Sequence, residues 1–419
     1  MFEPEAPTTY PGRTRERGRP VRPGKTPAAP NVSATAWAAD VITTRMEMCA
    51  LLDEWRALFD DCGSRNPFAD PTWVLTWVEH FVADGNLFVV VLRDGGRLCC
   101  VAPFYRRRIG YGSVRLARSL QLIGAIEHVV LTDRPQILVR PEHSRRAIRR
   151  VLEVIQRDTG WDWAEVSLAA DQGWFEPAWI DGDSAAKCYA VHKTSRPSVG
   201  FELPADVDAL RSGLKRNLCE SMRRARNRLK RADPEWKIEI VDDPAQFADA
   251  LDGLMKLHGA RASMADKIEH ADVFAAEIDR TFVCDALMQM ARQGKAEALF
   301  VEAGGRRVAG LMTLLTPSAV YFSFSGVDPE WWSFSAVTLL QWEAVCRAVA
   351  SGRTYADLSV GVDVAKMRWT EAIEIHPEFV VVAGRARSEI AFGAYFVVAA
   401  AARLLRERAR FRRSSRSSQ

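Results

Sequence analysis

Tyr321-Phe-Ser-Phe-Ser-Gly326 opens the stretch that decides the fold, which continues to residue 369. The alternation of aromatic and small residues predicts a buried β-strand. A polar, aromatic loop follows, and Ser335 is then expected to cap a helix whose apolar positions repeat every 3.6 residues. Residues 355–359 predict a second strand, parallel to the first. The same pattern is also typical of an ordinary βαβ unit without a ligand.

A strand, a loop and a helix start in this order can hold an anionic ligand. The first amides of a helix lack partners within the helix, and the helix dipole adds a partial positive charge there. We therefore expect an anion near residues 335–338, at the sheet edge where open α/β sheets usually bind ligands.

The composition is that of an ordinary globular protein. The chain has 419 residues, of which 48% are apolar and 26% charged, and this length suggests two or three domains. The formal net charge is only +4, which gives the whole chain no strong bias toward nucleic acid.

The cysteines and the chain start bear on location. The eight cysteines are scattered without a Cys/His cluster, so we expect reduced thiols in a cytoplasmic protein and no metal site. The first residues do not resemble a signal peptide. The apolar run 390–402 has 13 residues, which is short of the roughly 20 that span a bilayer. We expect a cytoplasmic protein that can be peripheral to the inner membrane.

A repeated hairpin pattern predicts the domain organisation. Asp94-Gly95-Gly96 and Gly304-Gly305 each join two strand-like segments, and in each half further strands and a helix follow. Such repetition predicts two related α/β domains in tandem, at 43–196 and 197–385, each with its own mixed, mostly antiparallel sheet flanked by helices. A disordered, Pro/Arg-rich tail is expected at 1–42, and an apolar helix with a basic tail at 386–419.

Three segments resemble a known family. The first is 214–230, which is similar to the basic helix of the GNAT-type acetyltransferase domain of CelD/BcsL proteins, described in cellulose and polysaccharide biosynthesis. The second consists of 308–311 and then 321–330, and the third, 352–366, is similar to the ending of that domain. The first half resembles the partner domain of such proteins and of the related FemAB-type peptidyltransferases. Where the family usually has Ser-Pro-Gly at the helix entry, this chain has Ser335-Ala336-Val337.

The resemblance implies a reaction and its participants. It implies N-acyl transfer from acetyl-CoA to an amine of a sugar, polysaccharide or envelope precursor, without a metal. Coenzyme A would bind with its diphosphate at the helix start and its pantetheine beside the central strand. The residues expected to bind it are Tyr321, Ser323, Ser325, Gly326, Ser335, Ala336, Val337 and Thr338.

Direct transfer to an amine needs a group that takes a proton rather than a nucleophilic side chain. Asp357 and Asp363 are the predicted proton acceptors, and Lys366 is expected to hold an anionic part of the acceptor. His258, beside Gly259, is expected to cap the end of a helix rather than to catalyse.

Two other functions stay open at this stage. One is FemAB-like transfer from aminoacyl-tRNA, and the other is a catalytically silent binding component of a polysaccharide-synthesis system. Residues 205–231 predict one long or two short helices with a basic face that can bind phosphates or stay solvated. Because this segment lacks stacking aromatics, sequence-specific nucleic-acid binding is not expected.

The C-terminal segment offers two interpretations. Residues 390–405 are apolar and compatible with a helix, and an arginine-rich run follows to 416. The segment either packs on the second domain or makes a peripheral membrane contact through 390–416.

Overall fold

The computed structural model describes residues 37–83, 85–111, 114–125, 131–169, 188–264 and 271–417. Residues from Trp37 onward belong to one compact unit. Residues 1–36 of the predicted disordered tail lie outside the described residues. The prediction is wrong for the end of that tail, because Ala38–Ile42 form an edge strand that pairs with 89–93.

The described ranges contain thirteen strands that join in one sheet. The strands are β1 (Ala38–Ile42), β2 (Leu87–Asp94), β3 (Arg97–Tyr111), β4 (Val114–Leu122), β5 (Leu138–Val139), β6 (Trp163–Ser167), β7 (Cys188–Glu202), β8 (Lys237–Val241), β9 (Ala296–Ala303), β10 (Arg306–Leu315), β11 (Ala319–Val327), β12 (Tyr355–Val360) and β13 (Ile373–Ala383).

Helices cover the sheet and form its crossover connections. They are α1 (Arg45–Ala50), α2 (Leu52–Asp61), α3 (Pro71–Phe81), α4 (Ser144–Arg157), α5 (Val207–Gly213), α6 (Arg216–Ala232), α7 (Phe247–Ala262), α8 (Glu277–Ala291), α9 (Ala336–Ala350), α10 (Val364–Met367) and α11 (Ala386–Ser417). The basic segment after residue 205 therefore forms two helices, one of the two predicted alternatives.

The strand order repeats when the sheet is followed inward from its two edges. One half runs β1-β2-β3-β4-β6-β13, and the other runs β8-β9-β10-β11-β12-β7. Each half has one parallel pair, β4 with β6 and β11 with β12, and all the other neighbours are antiparallel. The predicted fold class, a mixed and mostly antiparallel sheet flanked by helices, is confirmed.

The expectation of a separate sheet in each half is wrong. β7 follows the first half in the chain but pairs with β12, and β13 follows the second half but pairs with β6. Since β7 and β13 also pair with each other, the hydrogen-bond ladder continues across the centre. The predicted boundary between 196 and 197 falls inside β7, and the division into two domains stays a prediction.

The two halves also share an apolar core. The Trp73 ring of α3 lies 5.2 Å from the Phe282 ring of α8, and Phe68 lies 5.1 Å from Tyr321 of β11. The ammonium of Lys295 lies 2.7 Å from the buried carboxylate of Asp70. These contacts fix first-half residues against the central strand of the second half.

β11 and β12 separate soon after they meet. Their parallel pairing covers only Ala319–Tyr321 of β11, although β11 continues to Val327 and β12 to Val360. On the other side of β11, the register with β10 shifts, because the step from Leu311 to Thr313 faces the longer step from Ser325 to Phe322, which is a bulge in β11. Because bulges bend and twist a strand, β11 turns away from β12 and leaves a gap between them.

Candidate active site

The gap between the two strands holds a cavity of about 570 Å³. Its walls come from Phe322–Ser325 of β11, Leu358–Val360 of β12 and Ala336–Thr338 at the start of α9. Leu131 and Asp133 reach the cavity from the first half of the chain. The cavity is therefore built by both halves, whereas the sequence places the chemistry in the second half alone.

The start of α9 faces this cavity with a strained residue in front of it. Ser335 has φ 57° and ψ 34°, which is left-handed, and its side chain makes no capping hydrogen bond. The predicted N-cap role is therefore wrong, since a capping side chain needs the extended backbone that precedes most helices. A short 3₁₀ helix, Pro329–Phe334, delivers the chain to α9 at this tight corner.

A second residue of the same kind lies across the cavity. In the part of the chain that the structure describes, the non-glycine residues with positive φ are Ser335 and Ser359, and both line the cavity. Left-handed backbone at such residues costs of order 1–3 kcal/mol and is concentrated at functional sites. This observation supports a ligand site in the gap.

Helix α7 holds the far part of β11. His258 Nδ1 donates to the Ser325 carbonyl at 3.0 Å, and Arg261 Nη1 donates to the Ser325 hydroxyl at 2.9 Å. Burial lowers the pKa of both side chains. His258 is inside a helix that continues to Ala262, so its predicted role as a C-terminal cap is wrong.

Arg261 places a cation beside the helix start. Its guanidinium lies 5.9 Å from the ring of Trp332, which belongs to the turn before α9. Arg261 and Lys366 both line the cavity. An anion at the α9 N-terminus would therefore also meet the field of a neighbouring guanidinium.

A buried cluster of charged groups lies beneath the cavity, and Asp133 is the member of this cluster that lines it. The Tyr321 hydroxyl donates to Asp133 Oδ2. Next to it, Arg134 Nη2 lies 2.5 Å from Asp357 Oδ2, with side chains 8% and 1% exposed. Burial raises the pKa of Asp133, while the hydrogen bond from Tyr321 and the charge of Arg134 oppose that rise.

Asp357 has no free access to a substrate. Its second oxygen accepts from the Ser359 amide at 2.9 Å, and its side chain is not part of the cavity lining. The structure therefore does not support the predicted proton-acceptor role of Asp357. The carboxylate instead pairs with Arg134 and fixes the turn at the end of β12.

Asp363 and Lys366 line the cavity, as the sequence predicts, but both are engaged locally. Asp363 accepts from the Lys366 amide and caps the short helix α10. Lys366 Nζ lies 3.0 Å from Ser359 Oγ, 2.5 Å from the Val360 carbonyl and 3.1 Å from the Gly361 carbonyl.

An ammonium has three protons, so these contacts occupy the Lys366 head group. Its predicted contact with the acceptor is therefore not supported. Burial lowers the pKa of Lys366, while the nearby carboxylates of Asp363 and Asp133 oppose that shift. The charge of Lys366 therefore acts through the electrostatic field of the cavity.

The predicted coenzyme-binding residues divide into two groups. Ser323, Ser325, Ser335, Ala336, Val337 and Thr338 line the cavity. Tyr321 is buried below it. Gly326 faces α7, where an added Cβ would lie 2.4 Å from the His258 amide nitrogen. Gly326 thus allows the close approach of α7 and is not among the residues that line the cavity, and its contact with the coenzyme stays a prediction.

Asp133, Arg134 and Arg261 are the site residues that the sequence analysis missed. Asp133 and Arg134 precede Pro135 in a segment without helix or strand, which Asn66 holds through a 2.8 Å hydrogen bond to the Arg134 carbonyl. An Asp-Arg-Pro sequence is compatible with many surface turns. Of these three residues, Arg261 was the one that local sequence could have indicated, because it follows His258 by one helical turn and lies on the same face of α7.

A buried histidine below the cavity predicts acid sensitivity. His376 Nε2 lies 2.8 Å from the Ser198 hydroxyl and 3.3 Å from Arg134, and burial with the Arg134 charge lowers its pKa to about 3. In the unfolded chain this imidazole takes up a proton near pH 6.5, whereas in the folded protein it stays neutral down to about pH 3. The free energy of unfolding should therefore fall as the pH drops from 6.5 toward 3, by up to roughly 3–5 kcal/mol. Urea unfolding between pH 7 and 4 checks this.

His376→Gln should flatten that stability curve, because the residue that takes up a proton on unfolding is gone. His192→Gln at an exposed position is the matched control and should follow the wild type. Equal slopes for wild type and His376→Gln would show that other groups cause the acid sensitivity.

The basic face of α6 lies near the turn before α9. Arg223, Arg224, Arg226, Lys230 and Arg231 are exposed. Arg228 Nη1 donates to the Ser333 carbonyl at 2.5 Å. This face can add positive potential near the mouth of the cavity.

Comparison with known proteins gives the family relation of this site. Residues 216–367 match the family described as an acetyltransferase (GNAT) domain. The matched segment lies entirely in the second half of the chain. This match includes α6, the diverging strands and α9, and it supports an acyltransferase. No curated protein matches the sequence. The narrower CelD/BcsL assignment stays a prediction.

Solved structures are similar over most of the chain. The crystal structure of FemX has a TM-score of 0.54 at 11% identity, covering 82% of this chain and 96% of that one. A conserved protein of unknown function from Bacteroides thetaiotaomicron has a TM-score of 0.49 at 10% identity, covering 80% and 97%. The FemX comparison shows that both halves of this chain belong to a fold that is also found in that protein.

Among the helices that the structure describes, none is both long and apolar enough to cross a membrane. Within the described residues, no group of three or more His, Cys, Asp or Glu side chains is arranged to hold a metal ion.

Proposed function

We propose that this protein transfers an acyl group from acyl-CoA, typically acetyl-CoA, to an amine. The observation that supports this most is the divergence of β11 and β12 with the α9 N-terminus facing the gap. A diphosphate fits the first amides of a 15-residue helix with the Arg261 cation beside it. The unpaired edge of β11 offers backbone groups to the amides of pantetheine.

The acceptor end of the cavity has the group that the chemistry needs. The amine nitrogen attacks the thioester carbonyl, a C–N bond forms, and the C–S bond breaks with release of the coenzyme thiolate, which becomes the thiol by taking up the proton that the amine lost or one from water. Asp133 is the carboxylate that takes the amine proton, since it lines the cavity and burial raises its pKa. A base of raised pKa is better matched to this task than an ordinary exposed aspartate.

The acceptor class comes from the sequence resemblance. The CelD/BcsL family supports an amine of a sugar, polysaccharide or envelope precursor. A cationic amine is attracted by Asp133 and Asp363, while Arg261 and Lys366 suit an anionic donor.

A second candidate is FemAB-like transfer from aminoacyl-tRNA. The FemX fold similarity favours it, because that similarity spans 82% of the chain and includes the first half. The bond changes are the same, with an ester in place of the thioester. Turnover with acyl-CoA alone supports the first function, and turnover that requires charged tRNA supports the second. Absence of turnover with either donor would support the silent binding component.

Thr338→Asp should weaken coenzyme A binding by at least about tenfold. Thr338 is half-buried on the cavity wall, so an aspartate there adds a negative charge beside the diphosphate. The fold should tolerate it, since carboxylates in the first turn of a helix are stabilising. Isothermal titration with coenzyme A measures the affinity.

Thr338→Asn is the matched control, with the same shape and no charge. It should bind coenzyme A within about threefold of the wild type, since no charge is added. Ala336 is unsuitable for this test because it is buried. Equal affinities for the Asp and Asn variants would place the diphosphate away from α9.

A further inference from the structure

Helix α11 has two apolar faces, of which the inner one is packed. Phe392 and Tyr395 lie with their rings 5.5 Å and 5.1 Å from Trp163 of β6. Near the helix start, the Ser388 hydroxyl donates to Asp162 at 2.8 Å. These contacts fix the first turns of the helix to the sheet.

The outer face is apolar and exposed. Ile390, Val397 and Leu404 are 73%, 66% and 58% exposed, and their seven-residue spacing places them nearly above one another. Val398 and Leu405 extend this stripe on one side, with 68% and 65% exposure. An exposed apolar stripe of this length marks a surface that binds something.

The charge of the following sequence indicates what binds there. Residues 403–416 contain seven arginines and a single acidic residue, Glu407. An apolar helical stripe that leads into arginines is typical of helices that lie on anionic membranes. A second copy of this helix in parallel would also match the seven-residue spacing, but it would bring the arginines of two chains together. The charge therefore favours lipid.

We propose that α11 binds an anionic lipid surface, with the stripe of Ile390, Val397, Leu404, Val398 and Leu405 in the headgroup region and the arginine-rich end against the lipid charge. The packed inner face holds the rest of the protein at that surface. A membrane position would bring the cavity close to envelope precursors, although the proposal does not depend on the acyl-transfer reaction.

Co-sedimentation of the full chain with lipid vesicles tests the proposal. The protein should bind vesicles that contain phosphatidylglycerol together with phosphatidylcholine. It should bind much more weakly to vesicles of phosphatidylcholine alone. Val397→Asp combined with Leu404→Asp should reduce binding at least about tenfold, since the apolar contribution is lost. Both positions are exposed, so circular dichroism and the melting temperature should be unchanged.

Ile278→Asp, at an exposed apolar position of α8, is the control and should bind like the wild type. Equal binding by the double variant and the wild type would overturn the proposal. So would a wild-type protein that ignores both vesicle types and forms a dimer that the double variant abolishes in analytical ultracentrifugation. In that case the stripe binds a second copy.

Discussion

Asp133→Asn is expected to lower turnover by roughly two orders of magnitude or more, with donor affinity changed by no more than about twofold. Asparagine keeps the size of the side chain but cannot take a proton from the acceptor amine. The coenzyme is proposed to bind along Phe322–Ser325 of β11 and at the start of α9, without a contact to Asp133, so its affinity should be nearly unaffected. Steady-state rates with titration calorimetry separate the two effects.

Asp363→Asn is the matched comparison for this prediction. Asp363 also lines the cavity, but its carboxylate accepts from the Lys366 amide, and asparagine can cap a helix almost as well. Its turnover should stay within about threefold of the wild type. A large loss in Asp363→Asn together with a small loss in Asp133→Asn would exchange the two roles.

The pH dependence gives an independent check on Asp133. Turnover should fall as the pH drops through the raised pKa of this carboxyl, since only the ionised form takes a proton. Tyr321→Phe removes the hydrogen bond that lowers this pKa. The acidic limb of the rate profile should therefore move to higher pH in that variant, while the Phe68 ring contact is retained.

Local patterns predicted much of the second half of the chain. The strand predicted at Tyr321–Gly326 is observed at Ala319–Val327, and the helix predicted after Ser335 is observed as α9. Periodicity and turn residues depend on near neighbours, so one sequence suffices for them. The local conformation of Ser335 was beyond this approach, because the incoming 3₁₀ turn sets it left-handed.

Long-range pairing could not be predicted in this way. The sequence predicted a domain boundary between 196 and 197, whereas β7 runs from Cys188 to Glu202 and joins the two halves. Its pairing with β12 brings Glu202 opposite Tyr355. No alternation within β7 specifies a partner that far along the chain, and the same applies to the exchange with β13.

The charged cluster beneath the cavity joins residues that lie even farther apart in the sequence. Tyr321 is 188 residues from Asp133, and Asp357 is 223 residues from Arg134. The sequence pointed to Asp357 because it ends a strand next to the expected donor loop. It could not show that a first-half arginine already occupies that carboxylate.

Asp357→Ala is expected to destabilise the protein by roughly 3–5 kcal/mol, because it leaves the buried Arg134 guanidinium without its carboxylate. Urea unfolding measures the free-energy change. Arg134→Met should have a comparable cost, since it leaves the Asp357 carboxylate buried and unpaired. Combining the two changes should cost clearly less than their sum, because neither charge is then left alone. Costs that simply add would show that the pair makes no net contribution.

A second variant of Asp357 distinguishes a structural role of this residue from a role in proton transfer. Asp357→Asn keeps an oxygen for the Ser359 amide but removes a negative charge near Asp133, and that charge raises the pKa of Asp133. Without it, Asp133 ionises more easily, so the acidic limb of the rate profile should move to lower pH, opposite to Tyr321→Phe. If Asp357 were itself the base, the limb would disappear and turnover would collapse at every pH. Opposite shifts in the two variants would identify Asp133 as the group that the limb reports, with Asp357 and Tyr321 setting its pKa from either side.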